Sequence, residues 1–266
     1  MNNIDVSDFI HGDAFRSISD EVLDHDKLQI SLQNSPRIIF SHVDYIFLFI
    51  EKYLPCIKYP FVFITNKGDA PLFQENYKPL LDSKYLIRWY GTNCNKIHEK
   101  VVAIPLGIGD RKYAHGNKEE LIQVINTPIT KCDKLYCNFT IKNNSIVRQE
   151  CFNQISKLPF ITIQIINVSF KDYLIQTKTH RWSVSPPGNG IDCHRTWESI
   201  YVGTIPIVMD TIEFLQFSEL PIIKVKNYKN LSLEFLKEKS NNLSNVLDKS
   251  RFSYWKNRIL GEFNVL

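Results

Sequence analysis

The sequence predicts an α/β protein made of two small Rossmann-like domains, whose parallel sheets face each other across a cleft. Short apolar strands alternate with amphipathic helices, and this series runs twice along the chain. Alternation of this kind is typical of parallel sheets with helices on both faces. The series breaks at residues 113–128, which contain the turn dipeptides Gly116-Asn117 and Thr127-Pro128. We therefore expect domains at residues 1–125 and 126–266.

Each element follows from its apolar pattern. Runs rich in aromatic and β-branched residues predict first-domain strands at 37–41, 60–65, 85–89 and 101–105. Helical spacing between them predicts helices at 45–53 and 72–81. The same criteria predict second-domain strands at 134–139, 160–165, 181–185, 204–208 and 221–225. The remaining predicted helices are 118–125, 145–157, 170–177 and one after the glycine-rich turn described below.

The tail, from Leu231 to Phe263, is polar and prone to form helix. Phe252, Trp255 and Ile259 recur in it at roughly helical spacing, which predicts a buried stripe. This last helix either crosses back onto the first domain or packs on its own domain.

Composition is ordinary for a soluble globular protein. The 266 residues are 44% hydrophobic and 23% charged, with a net charge of +4. A mildly basic chain suits an anionic small-molecule ligand, and the absence of a Lys/Arg-rich block argues against a nucleic-acid partner. The most apolar stretch, Tyr45 to Ile50, is far too short to predict a transmembrane segment.

Cysteine usage points to a reducing compartment. The six cysteines lie in apolar surroundings without zinc-ligand or CxxC spacing, so we expect reduced core thiols. Residues Met1 to Asp5 have neither a basic region nor an apolar run, so we expect no secretory signal. The abundance of Lys, Asn and Ile is typical of an AT-rich genome. We therefore expect a cytoplasmic protein, in a bacterial cytosol or in a virus-infected host cell.

The stretch from Ser185 to Val208 carries the clearest chemical signal. The segment Pro187-Gly188-Asn189-Gly190 is a turn, Asp192 stands where a helix N-cap belongs, and Gly203 where a C′ glycine belongs. A helix start behind glycines binds anions, because its backbone N–H groups and its dipole both point at the ligand. The pattern therefore predicts an anion site at the start of this helix, with Trp197 in the core.

The polar residues of this helix suit a nucleotide sugar. His194 and Arg195 suit a pyrophosphate, whereas Glu198, one turn deeper, suits sugar hydroxyls. Arg195 and Glu198 could instead form an isolated surface ion pair, which contributes little stability. His194 could simply be solvated, and the glycines could act as turn residues only.

This segment resembles the carboxy-terminal signature of exostosin-like glycosyltransferases, in which a Pro-Gly-rich turn precedes an Arg-x-x-Glu helix and an Ile-Pro-Ile/Val strand. Two earlier segments are similar to the same family, in the same order. They are Ile87–Asn93 with Lys100–Gly109, and Tyr136–Thr140 with Arg148. The resemblance runs from roughly Ile38 to Val208, and its last motif is the most specific.

The resemblance implies a GT-B arrangement and sugar transfer from a nucleotide-diphosphate sugar, a UDP-sugar above all, to a glycan or other hydroxyl acceptor. No metal or other cofactor is required, because basic side chains and a helix dipole can take the charge of the leaving diphosphate. Asn138, Lys142 and Arg148 follow the first strand of the second domain, where ligands bind in such sheets. We expect them to contact the donor, although Arg148 could also be an ordinary solvated residue.

An inverting transfer needs a base on the acceptor side. His42 and Asp44 follow one predicted strand and Asp69 follows the next, so all three are candidates, with Asp69 slightly favoured. Each could instead be a helix cap or the start of an Asx turn. Asp24-His25-Asp26 resembles the DxD metal motif of the other glycosyltransferase fold. It lies in a helix-like stretch, residues 20–32, without a preceding strand, so we expect solvated surface.

Two other enzyme classes are disfavoured. A dinucleotide oxidoreductase would need G-x-G-x-x-G after a first strand, and a serine hydrolase would need G-x-S-x-G at a strand-to-helix turn. The chain has neither motif. The remaining alternative is a nucleotide-sugar or glycan-binding protein without turnover.

Overall fold

The computed structural model describes residues 5–164 and 168–264. It is an α/β structure with two parallel five-stranded sheets, which confirms the predicted class. The first sheet contains β1 (Glu21–Leu23), β2 (Ile38–Ser41), β3 (Phe61–Thr65), β4 (Leu86–Gly91) and β5 (Val101–Ala103). The second contains β6 (Cys132–Cys137), β7 (Ile161–Ile163), β8 (His180–Val184), β9 (Ile205–Met209) and β10 (Ile223–Val225).

The helices connect and cover these strands. In chain order they are α1 (Gly12–Ser17), α2 (Ile46–Leu48), α3 (Lys78–Asp82), α4 (Lys118–Asn126), α5 (Ser145–Ile155), α6 (Phe170–Thr179), α7 (His194–Tyr201), α8 (Ile212–Leu215), α9 (Leu233–Asn241) and α10 (Phe252–Gly261). A π-helical segment, Phe49–Tyr53, continues α2. Among the described residues, no helix is both long enough and apolar enough to cross a bilayer.

Three local predictions need correction. Residues 20–32 were expected to be helix-like, but residues 21–23 form β1, because they pair with residues 39–41 of β2. In the predicted helix 72–81, helical structure begins only at Glu75, since the amide of Leu72 donates to the carbonyl of Asn93 instead. The predicted strand 160–165 ends at Ile163, and residue 165 lies outside the described ranges.

The first sheet has the strand order β1-β2-β3-β4-β5, so every connection steps in the same direction. Right-handed crossovers then leave their connecting segments on one face. Phe63 points toward that layer, with its ring centroid 4.4 Å from that of Phe49. The residues before and after Phe63 in β3 point to the opposite face of the sheet, because successive side chains of a strand alternate between its two faces.

Helix α10 covers this other face of the first sheet. Arg88 and Tyr90, on either side of Trp89 in β4, both donate hydrogen bonds to the carboxylate of Glu262. Nearby, Phe252 of α10 packs edge-to-face on Phe15, with ring centroids 5.5 Å apart. Elements from the end of the chain therefore contribute to the core of the first half. As a result, one apolar cluster contains residues from both halves of the molecule.

The second sheet has the order β10-β9-β8-β6-β7. The chain moves to one side of β6 to form β7 and then to the other side to form β8. The order therefore reverses between β6 and β8, which makes this the topological switch point of the sheet. In open α/β sheets, ligands bind outside the carboxyl ends of the strands at such a point.

Candidate functional site

A cavity with a volume of about 820 Å³ lies at this switch point. Its walls in the second half are the loop after β6, the turn after β8 and the first turns of α7. The first half contributes Asp69, Leu106 and His115. The cavity is therefore a cleft between the two sheets, within the 300–1,000 Å³ range usual for small-molecule sites.

The predicted turn and helix form the floor of this cleft. Gly188, Asn189 and Gly190 line it, and α7 begins at His194. The N-cap residue is Cys193 and not the predicted Asp192, because the helix begins one residue later than expected. Gly203 has a φ of 74°, the left-handed conformation expected after a helix C-terminus. The amide of Thr196 donates to the carbonyl of Cys193 at 3.0 Å. The amides of His194 and Arg195, at the first two positions of α7, have no intrahelical partners, so they are available to an anion in the cleft.

Arg148 lines the cleft, and two of its nitrogen atoms donate to the loops that form the cleft walls. Its Nε donates to the carbonyl of Pro187 at 2.9 Å and its Nη1 to the carbonyl of Thr140 at 2.8 Å. A Cβ on Gly188 would lie 2.9 Å from Arg148 Nη2, so a larger residue here would displace the end of the Arg148 side chain. Arg148 therefore positions the two loops, and its contact with a donor phosphate stays a prediction.

Arg195 and Glu198 both line the cleft. The Nε of Arg195 is buried without a hydrogen-bond partner among the described residues, which leaves a donor for a ligand. Burial raises the pKa of Glu198 to about 7, against the opposing effect of the Arg195 charge. A half-buried cation and a buried carboxyl group thus share one wall.

Asp192 lines the cleft but has its carboxylate occupied. Oδ2 accepts from the amide of Leu106 at 2.9 Å and from the Trp197 indole at 2.7 Å, while Oδ1 accepts from the amide of Cys193 at 2.7 Å. Leu106 belongs to the first half, so this carboxylate joins the two halves. Asp192 therefore has a structural role, and its contact with the donor stays a prediction.

His194 is also tied to the first half. Its Nδ1 lies 2.7 Å from the carbonyl oxygen of Gly107, so Nδ1 carries the proton. Burial lowers the pKa of His194, which keeps the ring neutral. The neutral ring then has a lone pair on Nε2, so His194 offers an acceptor and not the positive charge expected for a pyrophosphate.

Three residues after β6 were predicted to contact the donor, and one of them, Arg148, is described above. The other two, Asn138 and Lys142, lie in different environments. Asn138 lines the cleft, beside Phe139 and Thr140. Lys142 is exposed and, over residues 5–164 and 168–264, is not among the cleft-lining residues. The short 3-10 turn Ile141–Asn144 turns Ile141 and Asn143 toward the cleft and leaves Lys142 in solvent. The prediction for Lys142 is therefore corrected.

A second, smaller cavity of about 280 Å³ adjoins the cleft on the side of the first sheet. The two cavities share Asp69, Leu106, His115 and His194 as lining residues. Asp69 is exposed, and its Oδ2 accepts from Asn189 Nδ2 at 3.2 Å, across the mouth between the halves.

The other two base candidates lie farther from the cleft. His42 lines only the smaller cavity, and its Nδ1 accepts from the amide of Asp44 at 3.2 Å, so His42 caps the turn Val43–Tyr45. Asp44 has a side chain 60% exposed and lines neither described cavity. The capping role that was considered for the Asp44 side chain is therefore performed by His42.

An ion network lies behind the smaller cavity. Lys67 Nζ is 2.6 Å from Asp13 Oδ1, 3.2 Å from Asp24 Oδ2 and 3.3 Å from Asp110 Oδ2. Asp24 is 4% exposed and follows a strand, so the expectation of solvated surface was wrong for Asp24. Although burial opposes it, hydrogen bonds from His11 and the charge of Lys67 lower the pKa of Asp110.

The sequence did not indicate the residues that join the two halves next to the glycine turn. Asn93, at a φ of 59°, accepts from the amide of Asp192 at 3.0 Å and donates to the carbonyl of Gly68 at 3.2 Å. Glu213 is fully buried and accepts from the amide of Cys94. Asparagine tolerates the left-handed conformation, which is the one local signal available for Asn93.

Metal-ligating groups cluster at two places in the part of the chain that the structure describes. One cluster contains His25, His42 and Asp44, and the other contains His11, Asp13 and Asp110. All six cysteines are free, and three of them, Cys94, Cys137 and Cys151, are buried.

Comparison with known proteins leaves the site to be interpreted from its own geometry. No protein-family model matches the chain, and no curated protein sequence matches it significantly.

Glu213 should make folding stability depend on pH. Burial, with the nearby charge of Asp192, raises its pKa well above the ordinary value. The unfolded chain releases this proton near a pKa of about 4.3, whereas the folded chain keeps it to higher pH. The contribution of Glu213 to the free energy of unfolding is therefore present at low pH and is lost as the pH rises. In Glu213→Gln we expect a gain in Tm over the wild type that grows from about pH 5 to about pH 8.

Glu219→Gln is the control of opposite sign. Its hydrogen bond from Lys249 lowers the pKa of Glu219, so the wild-type contribution is present at neutral pH and lost as the pH falls. The Tm of Glu219→Gln should therefore be lower than that of the wild type near neutral pH only. A Tm shift of Glu213→Gln that is the same at every pH would contradict the assignment of a raised pKa.

Proposed function

We propose that the protein is a glycosyltransferase that moves a sugar from a nucleoside-diphosphate sugar, a UDP-sugar above all, to a hydroxyl acceptor such as a glycan. One observation carries the proposal. The cleft at the switch point of the second sheet combines a glycine turn, a helix start, a buried unpartnered Arg195 Nε and a deep Glu198. The resemblance of this segment to exostosin-like glycosyltransferases, and with it a GT-B arrangement, is part of the same proposal.

The donor diphosphate is placed at the start of α7. There the N–H groups of the first turn and the guanidinium of Arg195 stabilise its negative charge. Glu198 lies deeper in the cleft and accepts hydrogen bonds from the ribose hydroxyls. These groups also stabilise the charge that develops on the diphosphate as the bond to the sugar breaks.

The acceptor is placed on the side of the smaller cavity, which shares Asp69 with the cleft. In an inverting transfer, Asp69 removes the proton of the acceptor hydroxyl as its oxygen attacks the sugar. His42 lines the same cavity and serves as its possible partner, whereas the exposed Asp44 is the less favoured base.

A nucleotide-sugar or glycan-binding protein without turnover would use the same donor site. Incubation with a panel of UDP- and GDP-sugars separates the two functions. Hydrolysis or transfer supports the enzyme, whereas saturable binding without any turnover supports the binding protein.

Arg195→Ala should weaken nucleoside-diphosphate binding. A charge-assisted hydrogen bond contributes about 2 kcal/mol, which corresponds to a loss of about 30-fold in affinity. Isothermal titration calorimetry with UDP measures this loss. Arg181→Ala is the matched control, because Arg181 lies at the amino end of β8 and pairs with Asp133. Equal affinities of wild type and Arg195→Ala would refute the donor site.

Donor binding and donor hydrolysis should be unaffected by chelation of divalent metal ions. The α7 start and Arg195 supply the positive potential at the proposed diphosphate position, so this step has no need of a divalent ion. We expect UDP affinity and UDP-sugar hydrolysis to be unchanged in excess EDTA. Loss of both in EDTA, with recovery on addition of magnesium or manganese, would contradict a metal-independent donor site.

Asp69→Asn should lower kcat without unfolding the protein. Removal of a general base typically costs a factor of about 10² to 10⁴. The measurement is the initial rate of transfer beside the Tm of each variant. Asp82→Asn is the control, since Asp82 is an exposed aspartate of α3 that pairs with Lys78. Near-normal kcat in Asp69→Asn would place the base elsewhere or indicate a retaining transfer.

A further inference from the structure

The cluster of His25, His42 and Asp44 arises from the pairing of the first two strands. In the parallel ladder of β1 and β2, Leu23 lies opposite Ser41. The residues that follow both strands therefore emerge side by side at the same edge of the sheet. His25 lies two residues beyond the end of β1, and His42 one residue beyond the end of β2.

The side chains converge on one point. One ring nitrogen from each histidine and one carboxylate oxygen of Asp44 all lie within 4.8 Å of one another. The two imidazole rings have centroids 4.4 Å apart and are tilted by 58°. An ion between three such atoms could reach all of them with side-chain adjustments of a fraction of an ångström to about 1 Å, given ligand distances of about 2.0–2.2 Å.

The backbone fixes both ligand-bearing segments. The main chain of residues 24–27 closes a tight turn, since Asp24 and Lys27 exchange two backbone hydrogen bonds of 3.0 and 2.9 Å. His42 and Asp44 are held in the turn that His42 caps. The three side chains are therefore presented by short, hydrogen-bonded turns and not by long loops.

Tyr45 provides an outer partner for the cluster. Its hydroxyl lies 2.7 Å from Nδ1 of His25 and orients that ring. Partners that hydrogen-bond to a ligating histidine are a usual part of protein metal sites, and their loss typically weakens metal affinity about 10–100-fold.

We propose that His25, His42 and Asp44 bind a divalent transition-metal ion of the Zn²⁺ class. Two imidazoles and one carboxylate suit Zn²⁺ and its neighbours better than Mg²⁺ or Ca²⁺, which prefer all-oxygen sites. Three protein ligands leave at least one coordination position open. His25 and His42 both line the smaller cavity, so a hydroxyl or carboxylate of a ligand bound there can occupy that position.

The second cluster does not compete for the ion. His11 Nε2 lies 2.7 Å from Nζ of Lys118, and Lys67 Nζ lies 2.6 Å from Asp13. Lysine ammonium groups already provide the positive charge at that place, and a cation added between them would be repelled.

The test is metal binding by the full-length chain after removal of bound ions by chelation. Titration with Zn²⁺ in a calorimeter, and with Co²⁺ followed by visible absorption, should give one saturable site. We expect His25→Ala to weaken Zn²⁺ binding at least tenfold and Tyr45→Phe to weaken it about 10–100-fold. His25 is exposed, so its replacement is expected to leave the fold intact, which a thermal melt checks.

The controls identify the ligands. His98→Ala changes a histidine outside the cluster and should bind Zn²⁺ as the wild type does. Unchanged affinity in His25→Ala, a loss in His11→Ala in its place, or no saturable binding at all would each overturn the proposal. None of these readouts involves sugar transfer or UDP, so failure of the metal site is distinguishable from failure of the proposed function.

Discussion

The two halves of the molecule meet around the carboxylate of Asp192, which is 3% exposed. Burial raises the pKa of Asp192 to about 7, while three N–H donors oppose this shift and favour the charged form. One donor, the amide of Leu106, comes from the first half, and another, the Trp197 indole, comes from the core of α7. The same carboxylate thus fixes the relative position of the sheets and the start of the helix that forms the floor of the cleft.

Neighbouring contacts reinforce this arrangement. Asn93 holds the amide of Asp192 from the first half, while Gly190 must lack a side chain because a Cβ would lie 2.8 Å from Asn93 Oδ1. Asn189 then reaches Asp69 across the mouth of the cleft. The turn of the proposed donor site is therefore also the segment that contacts the first half. In the proposed enzyme, donor binding would thus be coupled to the geometry of the acceptor side.

Local signals predicted much of this structure. Glycine turns, strand runs and helical spacing depend on neighbouring residues, so the position of α7, the burial of Trp197 and the left-handed Gly203 could be predicted from sequence. Which polar group faces a cavity depends on distant partners. The sequence carries no local sign that Arg148 would donate to the carbonyls of Pro187 and Thr140, or that Lys142 would stay in solvent.

The clearest failure concerned residues 20–32. Glu21 to Leu23 form too short a strand to show a period of their own, and they are a strand only because β2 pairs with them. That pairing buries Asp24 and places His25 beside His42, so the error in secondary structure also concealed both the ion network and the histidine cluster.

The position of α10 on the first sheet has a consequence for how the chain is made. During synthesis the first sheet leaves the ribosome long before residues 252–261, yet one of its faces is completed by this helix. Until then the nascent first half exposes apolar surface that its own connections do not cover, although domains commonly fold in order of synthesis. We therefore expect that cotranslational folding of this half is complete only after residues 252–261 have been made.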